Sequence, residues 1–195
     1  GERENIRIEA GNVVNPSVRT LFYDSENRLW AGTDAGLILI DPYDGDHKVY
    51  RYNPADTTGI NTNVITAIAQ RNNEPGVLWL GSPNGGLNRF DISTGKATHI
   101  MKVDGLADNV IYGILVDYRG TLWMSTNQGI SNYNPDDGSI RNYGLEDGLI
   151  QLEFNQNAFE KGAGGILYFG HKDGITAFNP ENLRTNTIPP QVVIS

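Results

Sequence analysis

Four stretches decide the fold: Arg28-Leu29-Trp30-Ala31-Gly32-Thr33, Val77-Leu78-Trp79-Leu80-Gly81-Ser82, Thr121-Leu122-Trp123-Met124-Ser125-Thr126 and Ile166-Leu167-Tyr168-Phe169-Gly170-His171. Their aromatic residues stand at positions 30, 79, 123 and 168, at intervals of 49, 44 and 45 residues. After each closing Thr, Ser or His comes a glycine that opens a second apolar run: Gly36-Leu37-Ile38-Leu39-Ile40, Gly86-Leu87-Asn88-Arg89-Phe90, Gly129-Ile130-Ser131-Asn132-Tyr133 and Gly174-Ile175-Thr176-Ala177-Phe178. Turn-formers stop each run at Asp41-Pro42, Asp91-Ile92, Asn134-Pro135 and Asn179-Pro180. Upstream of each aromatic lies a longer apolar run, over 18–23, 64–69, 111–116 and 154–159. Runs apolar on both sides of the alternation read as strands covered on both faces. Downstream segments such as Lys48-Val49-Tyr50-Arg51-Tyr52, Ala97-Thr98-His99-Ile100 and Ser139-Ile140-Arg141-Asn142-Tyr143 alternate polar and apolar, as a sheet edge does.

Each unit therefore reads as four antiparallel strands, and a period of 40 to 50 residues with four strands per unit marks a β-propeller blade. Helical solenoids share the period but are excluded, because Gly and Pro interrupt every stretch long enough for two helical turns. The expected fold is all-β, a partial β-propeller of four blades of four antiparallel strands, spanning 18–53, 64–102, 110–144 and 152–187. Residues 1–17 form a leading segment in which Ile6-Arg7-Ile8 reads as the outer strand of a neighbouring blade. Residues 188–195, with Pro189 and Pro190, read as an exit linker toward a following domain.

Composition agrees. The 195 residues include 23 Gly and 9 Pro, as many tight turns require, and 38% hydrophobic against 19% charged residues argues for a globular chain. No apolar run approaches the roughly 20 residues of a spanning helix. A net charge of −8 disfavours nucleic acid and anionic membrane surfaces as partners. The absence of cysteine excludes a disulfide framework, a thiolate-held metal and a cysteine nucleophile. The opening Gly1-Glu2-Arg3 has neither an initiator Met nor a leader, and reads as the start of an excised piece.

The pattern of apolar run, Asp, turn, Leu-Trp and Gly-Leu, fullest in Val116-Asp117-Tyr118-Arg119-Gly120-Thr121-Leu122-Trp123-Met124-Ser125-Thr126, resembles the two-component regulator propeller repeat. Residues Glu146-Asp147-Gly148-Leu149 through Glu153-Phe154-Asn155, with Tyr168-Phe169-Gly170, Asp173-Gly174-Ile175 and the Pro-Pro exit, resemble the closing blade of such propellers in hybrid two-component sensors. That resemblance implies a periplasmic sensor region of an inner-membrane histidine kinase whose input is a glycan fragment. It implies a non-catalytic fragment without a cofactor. A propeller enzyme acting on polysaccharide, a lyase or a dehydrogenase, and a protein-interaction scaffold are the alternatives.

No histidine pair among His47, His99 and His171 has metal-ligand spacing, and all three read as surface residues. The acids of Asp41-Pro42-Tyr43-Asp44-Gly45-Asp46 lack the ligand pattern of a calcium loop, and Pro83-Asn84-Gly85-Gly86 lacks the lysine and helix of a phosphate loop. Trp30, Trp79 and Trp123, in phase with the repeat, read as blade-to-blade packing in preference to sugar stacking. Ligand contact is assigned instead to non-repeating polar residues in the turns between second and third strands: Asp34, Asn84, Asn127, Gln128, His171 and Lys172. An open stack of four blades leaves two apolar ends, so a homodimer through the end blades is expected. Denaturant melts test the packing assignment: Trp123→Ala is expected to cost roughly 3–5 kcal/mol, and His171→Ala, as a turn residue, under about 0.5 kcal/mol.

Overall fold

Trp30, Trp79 and Trp123 are all but fully buried, and each sits in a second strand paired on both sides. The structure, a computed structural model, describes residues 7–10, 13–41 and 43–183. A short hairpin of β1 (Glu9–Ala10) and β2 (Val13–Val14) leads into four antiparallel sheets. Blade 1 is β3 (Val18–Tyr23), β4 (Leu29–Thr33), β5 (Leu37–Ile40) and β6 (His47–Tyr50). Blade 2 is β7 (Ala67–Ala69), β8 (Val77–Gly81), β9 (Leu87–Asp91) and β10 (Lys96–Ile100). Blade 3 is β11 (Ile111–Val116), β12 (Leu122–Thr126), β13 (Gly129–Tyr133) and β14 (Ile140–Tyr143). Blade 4 holds β15 (Phe159–Lys161), β16 (Leu167–His171) and β17 (Gly174–Phe178). Helix among the described residues amounts to four single turns of 3-10 type, so this is the all-β, four-bladed propeller that the repeat predicts.

Neighbouring blades are joined by the same device three times. The carbonyl that closes each second strand accepts an N–H from the start of the next blade: Ile65 to Thr33 at 2.9 Å, Ile111 to Ser82 at 2.8 Å and Phe154 to Thr126 at 3.2 Å. Beside each joint lies an apolar core. Trp30, Leu37, Ile65 and Phe90 fill the first, Trp79, Leu87, Ile111 and Met124 the second, and Trp123, Ile130, Phe154 and Phe169 the third. Aromatic rings meet edge to face across them, as Tyr50 and Phe90 do at 4.8 Å.

Each tryptophan needs an acceptor once buried. Asp24 supplies it for Trp30 at 2.8 Å, and Asp117 for Trp123 at 3.0 Å. The same two carboxylates cap their own turns, Asp24 taking the N–H groups of Glu26 and Arg28, and Asp117 those of Arg119 and Thr121. In blade 2, β7 pairs Ala69 with Trp79, which puts Arg71 where the aspartates stand, and the Trp79 indole N–H has no partner among the described residues. Arg71 instead ties blade 2 to blade 3 through Asp136 at 2.6 Å.

The structure departs from the sequence expectation at both ends. Blade 4 has three strands among the described residues, and its first strand is 159–161 instead of 154–159. Asn157 enters the left-handed region at φ 59° and turns the chain there, while Phe154 is buried as part of the joint to blade 3. That strand also approaches blade 3 closely: a Cβ at Gly113 would strike the Phe159 ring. The leading segment, which reads as a neighbour's outer strand, packs Ile8 and Ala10 against Ala31, Ile38 and Ile40 of blade 1 within the same chain. Ile6, Pro42 and the exit linker 188–195 lie outside the described residues. Nor is the first strand of blade 1 covered on both faces, since Val18, Leu21 and Tyr23 are exposed. The turn at Pro83-Asn84-Gly85-Gly86 is a plain one, with Gly86 at φ 62°.

Of the three histidines only His171 is buried, while His47 and His99 are half-buried. His47 holds the leading segment through Nε2 and the backbone of Glu9, and His99 Nε2 lies 2.9 Å from the Gly59 carbonyl. His171 is 5% exposed, edge-on to Phe154 with ring centres 5.8 Å apart. Its replacement by alanine is therefore expected to cost about 1–3 kcal/mol in a denaturant melt, as for other buried side chains, against the small loss expected of a turn residue.

Burial raises the Asp24 carboxyl, but the bonds it accepts from Trp30, Arg28 and Glu26 outweigh that and hold it below the usual carboxylate range. A carboxyl lowered on folding stabilises the native state fully above its unfolded value near 3.9, and that contribution disappears as pH falls through the folded value. Asp24→Asn should therefore be less stable than the parent at neutral pH and approach it below about pH 4. Melts across pH 2 to 7 check this, and a constant gap would refute it.

Candidate functional site

The first strands of all four blades converge on one cavity of about 560 Å³. Its apolar wall comes from Leu21 and Phe22, Ile68 and Ala69, Ile114 and Leu115, and Phe159. Toward the turns that join first to second strands the lining becomes polar, with Asn72, Asn73, Tyr118, Arg119, Glu160 and Lys161. A wider, shallow groove of about 800 Å³ lies on the open flank of blade 1, around Tyr23, Leu39 and Lys48, and is touched by no other blade. The central cavity is the better site because four elements fix its shape.

Local chemistry determines which rim groups are free. Asp117 is occupied by its turn and Trp123. Lys161 Nζ donates to the Val116 carbonyl at 2.8 Å, and the Arg119 guanidinium lies against Tyr118, 5.1 Å from the ring centre. Gln70 bridges Ser25 N–H and the Pro75 carbonyl. Asn72 and Asn73 make no side-chain hydrogen bond among the described residues, and Tyr118 is 58% exposed. The cavity thus offers an apolar wall, two neutral amides, the Glu160 carboxylate and the exposed Tyr118–Arg119 pair. Among the described residues no group of three His, Asp or Glu side chains could hold a metal ion.

The six residues singled out from sequence lie at the opposite end of the blades, and none lines this cavity. Asp34 accepts the Ser17 N–H at 3.0 Å, and Asn127 accepts the Tyr112 hydroxyl at 2.7 Å, so both are spent on structure. Asn84, Gln128 and Lys172 are exposed on separate turns, and His171 is buried. Sequence reading missed Asn72, Asn73 and Tyr118. The available signal was the blade 2 turn, where eight positions separate Arg71 from Trp79 against six between Asp117 and Trp123.

Four antiparallel sheets set around a shared central cavity define a β-propeller. Two stretches, residues 12–35 and 105–128, match the pattern of the family described as two component regulator propeller. Histidine kinase P4 of Formosa agariphila is 30% identical over 189 residues, covering 94% of this chain and 13% of that protein. The extracellular domain assigned to the hybrid two-component system BT4673 of B. thetaiotaomicron superposes with a TM-score of 0.73 at 23% identity, over 85% of this chain and 23% of that one. The computationally designed protein Ika4 superposes with a TM-score of 0.62 at 15% identity, over 91% of this chain and 99% of that one. The chain therefore spans a small part of its natural relatives.

Proposed function

We propose that this chain is a non-catalytic part of the periplasmic sensor region of a hybrid two-component histidine kinase, and that its central cavity takes a neutral, carbohydrate-derived ligand. Support for the sensor reading comes from the regulator propeller repeats and from relatives named as a histidine kinase and as an extracellular domain of a two-component system. Kinase activity belongs to the larger remainder of such a protein, since the chain spans 13% of the relative that carries that name.

The observation that carries the ligand class is the character of the cavity rim. Asp117 and Lys161 are engaged, Tyr118 is exposed with the Arg119 guanidinium lying against its ring, and Asn72 and Asn73 make no side-chain hydrogen bond among the described residues. A pyranose presents an apolar face and a hydroxyl edge, which an aromatic ring and uncharged amides can meet together. Of the two carboxylates in the lining Asp117 is engaged by Trp123 and its turn, which leaves Glu160 without the second carboxylate that glycoside cleavage uses, so binding without turnover fits the arrangement.

Titration calorimetry against a panel of neutral oligosaccharides, with chromatography of the same mixtures, tests the reading. Heat without new products is expected, with Tyr118→Ala weakening binding about tenfold, a loss of ~1.4 kcal/mol. Lys172→Ala, at the other end of the blades, should leave affinity unchanged. Product formation would make the chain an enzyme, silence across the panel would remove the carbohydrate reading, and sensitivity to Lys172 instead of Tyr118 would move the site.

A further inference from the structure

At the cavity end, neighbouring blades are clasped by side chains. Gln70 accepts the Ser25 N–H at 2.7 Å, Lys161 Nζ donates to the Val116 carbonyl at 2.8 Å, and Arg71 Nη2 donates to Asp136 at 2.6 Å. The first two clasps are exposed to water. The Arg71 side chain, by contrast, is only 4% exposed.

Arg71 touches blade 3 in two places. Asp136 belongs to the turn between β13 and β14, and the second contact, Gly120, to the turn between β11 and β12. A Cβ on Gly120 would stand 3.1 Å from both Nε and Nη2 of Arg71 and 3.5 Å from the Cζ between them, so the N–H edge of the guanidinium faces that turn. Residue 120 can come this close because it has no side chain, and its φ of 82° is one that glycine adopts freely. The Arg71 Nε–H pressed against it has no acceptor among the described residues. On the other side Glu74 Oε2 lies 3.6 Å from Nη1, and the second oxygen of that carboxylate takes Arg89, so the guanidinium is anchored to its own blade as well.

Stability does not account for this residue. Taking a guanidinium out of water is expensive, and an apolar side chain of the same volume commonly serves a fold as well or better. The aspartates at this position in blades 1 and 3 each satisfy an indole N–H, whereas the Trp79 indole beside Arg71 goes without. What the arginine does is fix a distance. Asn72 and Asn73 follow it directly, Tyr118 and Arg119 directly precede Gly120, and all four line the central cavity. Arg71 itself is not in that lining.

We propose that Arg71 is a positioning residue for the central cavity: its guanidinium holds the turn of blade 3 against the turn of blade 2, and so sets how far Tyr118 and Arg119 stand from Asn72 and Asn73. The proposal rests on the cavity being the ligand site. A ligand spanning both turns then meets a rim arranged in advance and does not have to order it on binding.

Backbone 15N relaxation of the whole chain tests the clasp without any ligand. Residues 118–120 should have order parameters of about 0.85 in the parent, as rigid backbone does, and below about 0.6 in Arg71→Met, which keeps the bulk and removes the charge. The thermal midpoint and the rest of the blades should stay as in the parent. Asp136→Ala, at a side chain 59% exposed, should loosen the same turn to a smaller extent, and it reads the clasp even where Arg71→Met does not fold. A neutral oligosaccharide that binds the parent in calorimetry should bind Arg71→Met about tenfold more weakly. Order parameters at the parent value in both variants would overturn the proposal. So would loosening spread evenly through blades 2 and 3, or an affinity that Arg71→Met leaves unchanged. A parent that binds no oligosaccharide sinks the carbohydrate reading alone, because the relaxation result still decides whether Arg71 holds the rim.

Discussion

Everything in this molecule depends on the joint between blades, in which the last carbonyl of one second strand accepts the first N–H of the next blade. A single blade cannot hide its own faces. Trp30, Leu37 and Phe90, or Trp79, Leu87 and Met124, are buried only because two sheets face each other, so the unit that folds is a pair of blades. Burial of side chains this large is worth on the order of 1.5–3 kcal/mol each, and a backbone hydrogen bond about 1 kcal/mol. Apolar packing therefore supplies the attraction. The joint carbonyls at Thr33, Ser82 and Thr126 fix where along the strand the neighbour sits, which packing alone does less sharply. Stability of this kind accumulates between nearest neighbours, as in other repeat proteins.

The aspartate beneath each tryptophan is the second constraint, and blade 2 displays what happens without it. Asp24 and Asp117 satisfy an indole and a tight turn at once. Arg71 can do neither, and it turns toward blade 3, where it meets Asp136, while Glu74 holds both Arg71 and Arg89. The cost is an unpartnered Trp79 indole. The same change lengthens the turn and carries Asn72 and Asn73 to the rim of the central cavity. A loss in the internal hydrogen bonding of blade 2 thus coincides with a gain in free polar groups where four blades meet.

Strands of three blades are legible in the sequence because their signals are local. The run 18–23 and the run 111–116 become β3 and β11 without a residue's difference, and the tryptophans lie in phase with the repeat. Blade 4 is less legible because its apolar residues serve two structures. Phe154 belongs by composition to a strand, but a joint to Thr126 and an asparagine turn at 155–157 claim it first. His171 misleads for a related reason. It stands where Thr33, Ser82 and Thr126 close their hairpins, and spacing does not reveal that Phe154, seventeen positions earlier, will cover its ring. The central cavity has no local signal at all, since its wall is assembled from strands of four separate repeats.

The two ends of the blades are consequently unequal. At the end where second strands turn into third strands, the chain also passes from one blade to the next, and several polar side chains there hold that crossing. Asp34 fastens Ser17, Asn61 fastens the Gly85 carbonyl, and Asn127 holds the Tyr112 hydroxyl. Turns at the other end carry no crossing between blades. Once an aspartate has satisfied the turn itself, the remaining side chains, Tyr118 and Arg119 in blade 3 and Asn72 and Asn73 in blade 2, have no structural task of that kind and face the cavity. The polar rim of the central cavity therefore lies at the end that the joint does not use, away from the turns that carry Asp34, Asn127 and His171.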